Sequence, residues 1–186
     1  MKPIKTLITI LFISLLSSPS WSVTLDDLVK REGLYYEKFN DVPFTGEVTG
    51  KEQGSFKSGK REGAWIDYWD NGQLWHKGEY KKGKKEGAWV RYHKSGQLNT
   101  NVNYKNGMKE GTLVSYHGNG QLRLKGNYKN GKIEGAWVGY HDNGWGMFKG
   151  NYISGNQEGD WVGYNKDGTV NKELTGTFKN GKKISD

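Results

Sequence analysis

The dipeptide Glu-Gly stands at 62–63, 86–87, 110–111, 134–135 and 158–159, so the chain repeats itself every 24 residues. A fixed period of this length restricts the fold to a stack of small like units, each burying its apolar side against its neighbours. Two residues after each glycine come Trp65, Trp89, Leu113, Trp137 and Trp161, and three further on come Tyr68, Tyr92, Tyr116, Tyr140 and Tyr164. Tyr80, Tyr104, Tyr128 and Tyr152 fall midway, and Phe44 and Phe56 continue that series backwards.

Each half-repeat also carries a turn signal. Asn71-Gly72, Ser95-Gly96, Asn119-Gly120, Asn143-Gly144 and Asp167-Gly168 alternate with Lys82-Gly83, Asn106-Gly107, Asn130-Gly131, Ser154-Gly155 and Asn180-Gly181. Asn-Gly and Asp-Gly mark two-residue type I′ hairpins, because both central residues there need positive φ. Consecutive tight hairpins can only build an antiparallel meander. The expected fold is therefore all-β, an elongated single-layer antiparallel meander of tandem 24-residue β-hairpin repeats. Counting outwards from a two-residue turn at Asn71-Gly72 opposes Asp70 to Gln73, Trp69 to Leu74, Trp65 to Gly78 and Gly63 to Tyr80. Trp65, Leu74, Gly78 and Tyr80 then share the more apolar face, with rings covering bare glycine backbone.

Composition agrees with such a sheet. Hydrophobic residues make up only 33%, yet aromatic residues reach 13%, so the chain is too rich in rings to be disordered and its apolar surface must come from them. With no Cys in the chain, neither disulfides nor thiol lipidation can contribute.

The ends depart from the repeat. Lys2 and Lys5 precede an uncharged apolar run at 6–16, and the small residues Ser20 and Ser22 follow. That run is about half the ~20 residues a membrane-spanning helix needs. Residues 1–22 therefore read as a signal peptide cleaved before Val23, in preference to an uncleaved anchor. The mature chain is then exported, to the periplasm or the medium. Residues 23–54 read as an N-terminal cap holding a degenerate repeat, with a short helix over 24–30 where Thr24 precedes Asp26 and Asp27. Residues 55–186 read as the repeat array.

Two ladders invite a chemical reading. His93, His117 and His141 recur at the repeat period, but residues two strands apart lie roughly 9–10 Å from one another, too far to share one zinc. They read as polar residues beside a turn. Glu62, Glu86, Glu110, Glu134 and Glu158 are spaced in the same way, too widely for paired acid–base work, and read as charge partners of the turn lysines. No Ser/His/Asp or Cys/His arrangement stands out, so no catalytic residue, cofactor or metal is expected.

The net charge of +8 is unevenly placed. Lys60, Arg61, Lys81, Lys82, Lys84 and Lys85 cluster about one set of turns, followed by Lys105, Lys109, Lys129, Lys132, Lys182 and Lys183. Alternate turns of a meander fall on opposite edges, which makes these residues one basic rim. The candidate binding face comprises Trp65, Tyr80, Trp89, Tyr104, Tyr128, Trp137, Tyr152 and Trp161, whose structural duty is to cover glycines.

The string Glu86-Gly87-Ala88-Trp89-Val90-Arg91-Tyr92, the following Gly96-Gln97-Leu98, and the return strand Lys125-Gly126-Asn127-Tyr128-Lys129-Asn130-Gly131-Lys132 resemble the bacterial MORN-repeat variant. The likeness runs over about residues 33–183. Leu113 in place of Trp, Trp145 in place of Gln, and Thr169-Val170 in place of Gln-Leu depart from it. The resemblance implies an open sheet used for binding. Many bacterial members are labelled antitoxins, and eukaryotic members are linked to membranes and scaffolding. An exported antitoxin fits only a toxin that acts outside the cytoplasm.

The expected function is a non-enzymatic binding or scaffold protein outside the cytoplasm, antitoxin- or immunity-like, using the aromatic face with the basic rim steering approach. Its expected partner is another protein. Anionic lipid or cell-envelope polysaccharide is the alternative, and nucleic acid is disfavoured for an exported chain.

Overall fold

A computed structural model describes residues 22–186, so the expected signal peptide lies outside the described residues apart from Ser22. After a single 3-10 turn at Leu25–Asp27, strands β1 (Leu28–Arg31) and β2 (Leu34–Glu37) form a separate hairpin. The main sheet then runs through β3 (Gly46–Val48), β4 (Glu52–Lys57), β5 (Lys60–Tyr68), β6 (Leu74–Lys81), β7 (Lys84–Tyr92), β8 (Leu98–Lys105) and β9 (Met108–Tyr116). It continues through β10 (Leu122–Lys129), β11 (Lys132–Tyr140), β12 (Gly146–Ile153), β13 (Asn156–Gly163), β14 (Gly176–Lys179) and β15 (Lys182–Ser185). These 13 strands are antiparallel and neighbour one another in chain order, the expected meander.

The two edges use different turns. Along the basic edge, Lys82-Gly83, Asn106-Gly107, Asn130-Gly131, Ser154-Gly155 and Asn180-Gly181 have both residues at positive φ, as type I′ requires. On the opposite edge only the glycine is at positive φ, and the expected two-residue turn is replaced by a three-residue one. Gly72 N–H donates to the Trp69 carbonyl at 2.9 Å and Trp69 N–H to the Gln73 carbonyl at 2.7 Å, a type I turn closed by a glycine bulge. Leu74 consequently pairs with Tyr68, not with Trp69, and Asp70 does not face Gln73. An irregularity at Trp75 then shifts β6 back by one residue, so Trp65 opposite Gly78 and Gly63 opposite Tyr80 stand as expected.

The recurring Glu-Gly pair has a geometric cause. On the other side of each hairpin the ladder slips: Lys77 pairs with Val90 but Glu79 with Glu86, so Gly87, Ala88 and Trp89 face Gly78 alone. Gly87 sits at φ 65°, and an added Cβ there would meet nothing, so its backbone angle and not space demands glycine. A slip of two residues leaves the face alternation intact. It also lays the indole flat on the preceding strand: a Cβ added at Gly54, Gly78, Gly126 or Gly150 would overlap the ring of Trp65, Trp89, Trp137 or Trp161. Each indole N–H then donates to a carbonyl on the strand it covers, as Trp89 does to Glu79 at 3.1 Å and Trp137 to Asn127 at 3.2 Å.

The core is therefore a line of rings and not a layer. Trp65, Trp89, Trp137 and Trp161 are 0–4% exposed. Tyr80 meets Trp65 edge-on at 5.7 Å and Trp89 at 5.0 Å, and Tyr152 does the same between Trp137 and Trp161. Such edge-to-face pairs exceed simple area burial by about 0.5–1.5 kcal/mol each. The N-terminal hairpin closes one end of the line, with Tyr35 against Phe56 at 4.8 Å. The helix expected over 24–30 is cut to one turn because Leu28 is buried as the first residue of β1. Asp27 accepts from both the Thr24 N–H and its hydroxyl, and these bonds hold its pKa below the ordinary carboxylate value. The strands at both ends of the sheet are short, which limits edge-to-edge association.

Candidate functional site

Strand pairing sorts the aromatic face into three parallel rows. The central row is the Trp/Gly line just described. Beside the basic edge runs a row in which Tyr80 pairs with Lys85, Tyr104 with Lys109, Tyr128 with Ile133 and Tyr152 with Gln157. On the other side Asp67 pairs with His76, His76 with Arg91, Arg91 with Thr100, Thr100 with Ser115 and Ser115 with Leu124.

The tyrosines of the candidate face, Tyr80, Tyr104, Tyr128 and Tyr152, are half-buried and remain reachable. The four tryptophans are not: their rings are enclosed, so they hold the face up without offering contact surface. The basic rim also divides. Lys60, Lys81, Lys82, Lys84, Lys105, Lys129, Lys132, Lys182 and Lys183 are exposed along the edge. Arg61, Lys85 and Lys109 instead fold inward onto the rings. The Arg61 guanidinium lies 4.1 Å from the Trp65 ring centroid, Lys85 Nζ 3.8 Å from that of Trp89, and Lys109 Nζ 4.6 Å from that of Tyr128. Rim and face, separate by residue count, are thus joined by three cations at the repeat period.

The electrostatics follow from that placement. Burial, reinforced by the like charges of Arg91, Arg61 and Lys109, lowers the Lys85 pKa from its ordinary value. Burial also opposes charge on Arg61, but the Tyr80 and Tyr35 hydroxyls and Glu52 outweigh it and raise its pKa. Glu52 reaches Arg61 at 3.0 Å. Asp67, buried, pairs with His76. Among the described residues, the buried side-chain polar atoms without a hydrogen-bond partner are Arg61 Nε, Asp67 Oδ1, His76 Nδ1 and Ser115 Oγ, and all four lie on this face in its first three repeats. Asp67, His76, Arg91 and Ser115 were not picked out from the sequence. Period-two alternation from each Trp could have found Asp67, Arg91 and Ser115, since they stand two residues beyond Trp65, Trp89 and Leu113.

Both ladders prove to be structural staples. Nε2 of His93, His117 and His141 lies 2.8–3.0 Å from the carbonyl of Tyr116, Tyr140 and Tyr164, one repeat further on. Glu62, Glu86, Glu110, Glu134 and Glu158 do not pair with turn lysines as expected. Each carboxylate accepts the backbone N–H of the next turn on the basic edge, at 2.7–2.9 Å. Among the described residues, no three His, Cys, Asp or Glu side chains are grouped to hold a metal ion.

The family described as MORN repeat variant matches residues 61–82, 85–106, 109–130 and 133–154. These four segments are successive hairpin units of the sheet, each opening two residues after a turn on the basic edge. No curated protein matches the chain. Among solved structures, the crystal structure of the GtfA/B complex bound to UDP and GlcNAc aligns at 16% identity over 79% of this chain and 28% of that one. Its TM-score of 0.18 is too low for the likeness to carry an argument.

Proposed function

This chain belongs to the MORN-repeat proteins, whose repeats commonly serve as binding or scaffold modules, and on that premise we propose that it is a non-enzymatic docking protein for an acidic partner protein. The proposed location is outside the cytoplasm, which rests on the sequence of residues 1–22, and an immunity-like role toward an exported toxin would fit it. One observation carries the reading: Lys85 and Lys109 lie over the rings of the open face, where each presents charge beside a half-buried tyrosine, while Arg61 in the equivalent position is paired with Glu52. Aromatic rings and arginine are the groups that dominate protein interfaces, and clustered cations select and steer an acidic partner.

A second reading is favoured by the edge itself. Lys57 faces Lys60, Lys81 faces Lys84, Lys129 faces Lys132 and Lys179 faces Lys182 directly across their hairpins. Opposed like charges destabilise a hairpin, so this edge suits a polyanion such as envelope lipid or polysaccharide better than it suits the fold alone. Salt separates the two readings. Affinity capture by the purified chain from envelope and culture-supernatant fractions should retain a single acidic protein at low and at high salt. Capture of lipid or polysaccharide at low salt only would replace the protein reading with the second, because exposed lysines are screened within a Debye length.

A further inference from the structure

We infer that the third repeat holds a discrete site for a compact dianionic oxyanion, of which a phosphate monoester is the common biological form. The inference goes beyond partner docking, since it concerns one cleft on the face and a small ligand. That cleft, of about 270 Å³, opens between β6 and β10 and is lined by strand residues alone. Its volume is just below the range of ordinary small-molecule pockets, which sets the scale of the ligand at a single charged group with little attached.

The site coincides with the one break in the ring line. Where the other repeats lay an indole on a glycine, this one places Leu113 against Val102. Lys85 has the Trp89 indole beneath it, while Lys109, its equivalent, has no indole and rests against Tyr128. Four cations border the cleft, Lys85, Arg91, Lys109 and Arg123, and no carboxylate lines it. Lys85 and Lys109 stand two strands apart, roughly 10 Å at the usual strand spacing, so their long side chains can converge on one group between them. A monoanion would leave most of this charge unbalanced. Phosphate or a phosphate ester, with several acceptor oxygens and a second negative charge, matches two arginines and two lysines.

Ser115 closes the far end of the cleft: it is 5% exposed and lies six residues along β9 from Lys109. Desolvation already lowers the Lys85 pKa, and an anion would offset that cost.

Soluble phosphate esters and lipid headgroups share this chemistry, and the experiment separates them. Inorganic phosphate and glucose 6-phosphate are titrated calorimetrically into the purified chain, and phosphatidylcholine vesicles doped with phosphatidic acid are tested by co-sedimentation. One saturable site per chain is expected for the soluble ligands. Lys109→Gln should weaken it by about tenfold, as loss of a charge-assisted bond does. Lys125→Gln, which removes a charge from the opposite face of β10, should leave it unchanged. The double change Val102→Gly with Leu113→Trp makes the repeat like the others, conserves volume and gives Lys109 an indole to rest on; it should retain cooperative unfolding and lose phosphate binding. Vesicle binding that falls with Lys109→Gln would also support the site and identify a lipid source. Absence of saturable phosphate binding at millimolar concentration, or equal loss in Lys109→Gln and Lys125→Gln, would overturn the site. Neither result touches capture of a protein partner, which is read separately.

Discussion

A tryptophan in this sheet is paired with an absence. The indole of Trp137 lies where a side chain at position 126 would be, and its N–H takes the Asn127 carbonyl of the strand beneath. Each half is useless without the other. Gly126→Ala should cost about 1–3 kcal/mol, because the added methyl forces a buried ring from its place. Trp137→Ala should cost about 3–5 kcal/mol, the usual range for emptying an aromatic site. Denaturant unfolding checks both, and a loss under ~0.5 kcal/mol for Trp137→Ala, the size of an ordinary surface change, would contradict a ring that is 3% exposed. Part of this was legible beforehand: the spacing of Trp65 and Gly78 already placed rings over glycines. What the spacing could not show was direction. Trp65 is opposite Gly78 on one side and Gly54 on the other, and its ring lies on Gly54, because the two-residue slip beside Gly63 tips each ring toward the preceding strand.

At the scale of the hairpin, the turns on the basic edge are tied one to the next. Asn130 N–H donates to the Glu110 carboxylate at 2.7 Å and Gly131 N–H to the Lys109 carbonyl at 2.9 Å, so both exposed donors of the turn are met by the preceding repeat. The opposite edge has its own tie, from Asn119 Nδ2 to the Asp142 carbonyl at 2.6 Å. Glu110→Gln weakens a charge-assisted bond but keeps an acceptor, whereas Glu110→Ala removes it; thermal unfolding should show losses of a few tenths and about 1 kcal/mol respectively. Equal losses would mean that the carboxylate acts by general charge and not as a cap. Turn positions were readable in the sequence to the residue, but turn type was not. Asn-Gly serves a type I′ turn at Asn130-Gly131 and a three-residue turn at Asn119-Gly120, and the choice is made by how many residues the flanking strands have to spare. The extra residue in one and the irregularity at positions such as Trp75 cancel, which is why pairs far from the turn could be counted correctly with the wrong turn.

Across the whole molecule the repeats are alike in backbone and unlike in what they present. Arg61, Lys85 and Lys109 give way to Ile133 and Gln157, and Asp67, Arg91 and Ser115 give way to Gly139 and Gly163. The aromatic face is thus polar and cationic through its first three repeats and more apolar after them. A one-dimensional array permits this, since each hairpin is held by its neighbours and the face residues are free to differ. The repeating part of the sequence therefore disclosed the scaffold, and the non-repeating positions within it hold the candidate site. Reading the lysines by number grouped Arg61, Lys85 and Lys109 with the edge, because side-chain direction depends on the slip and not on the count. The proposed docking of an acidic partner uses this face through those inward cations. Its most direct test is partner capture by two double variants that lose the same charge, Lys85→Gln with Lys109→Gln on the aromatic face, and Lys125→Gln with Lys149→Gln on the opposite one. Capture should fall about tenfold or more for the first pair, as for two interface charges removed, and hold for the second; equal capture by both, with folding intact, would contradict the account.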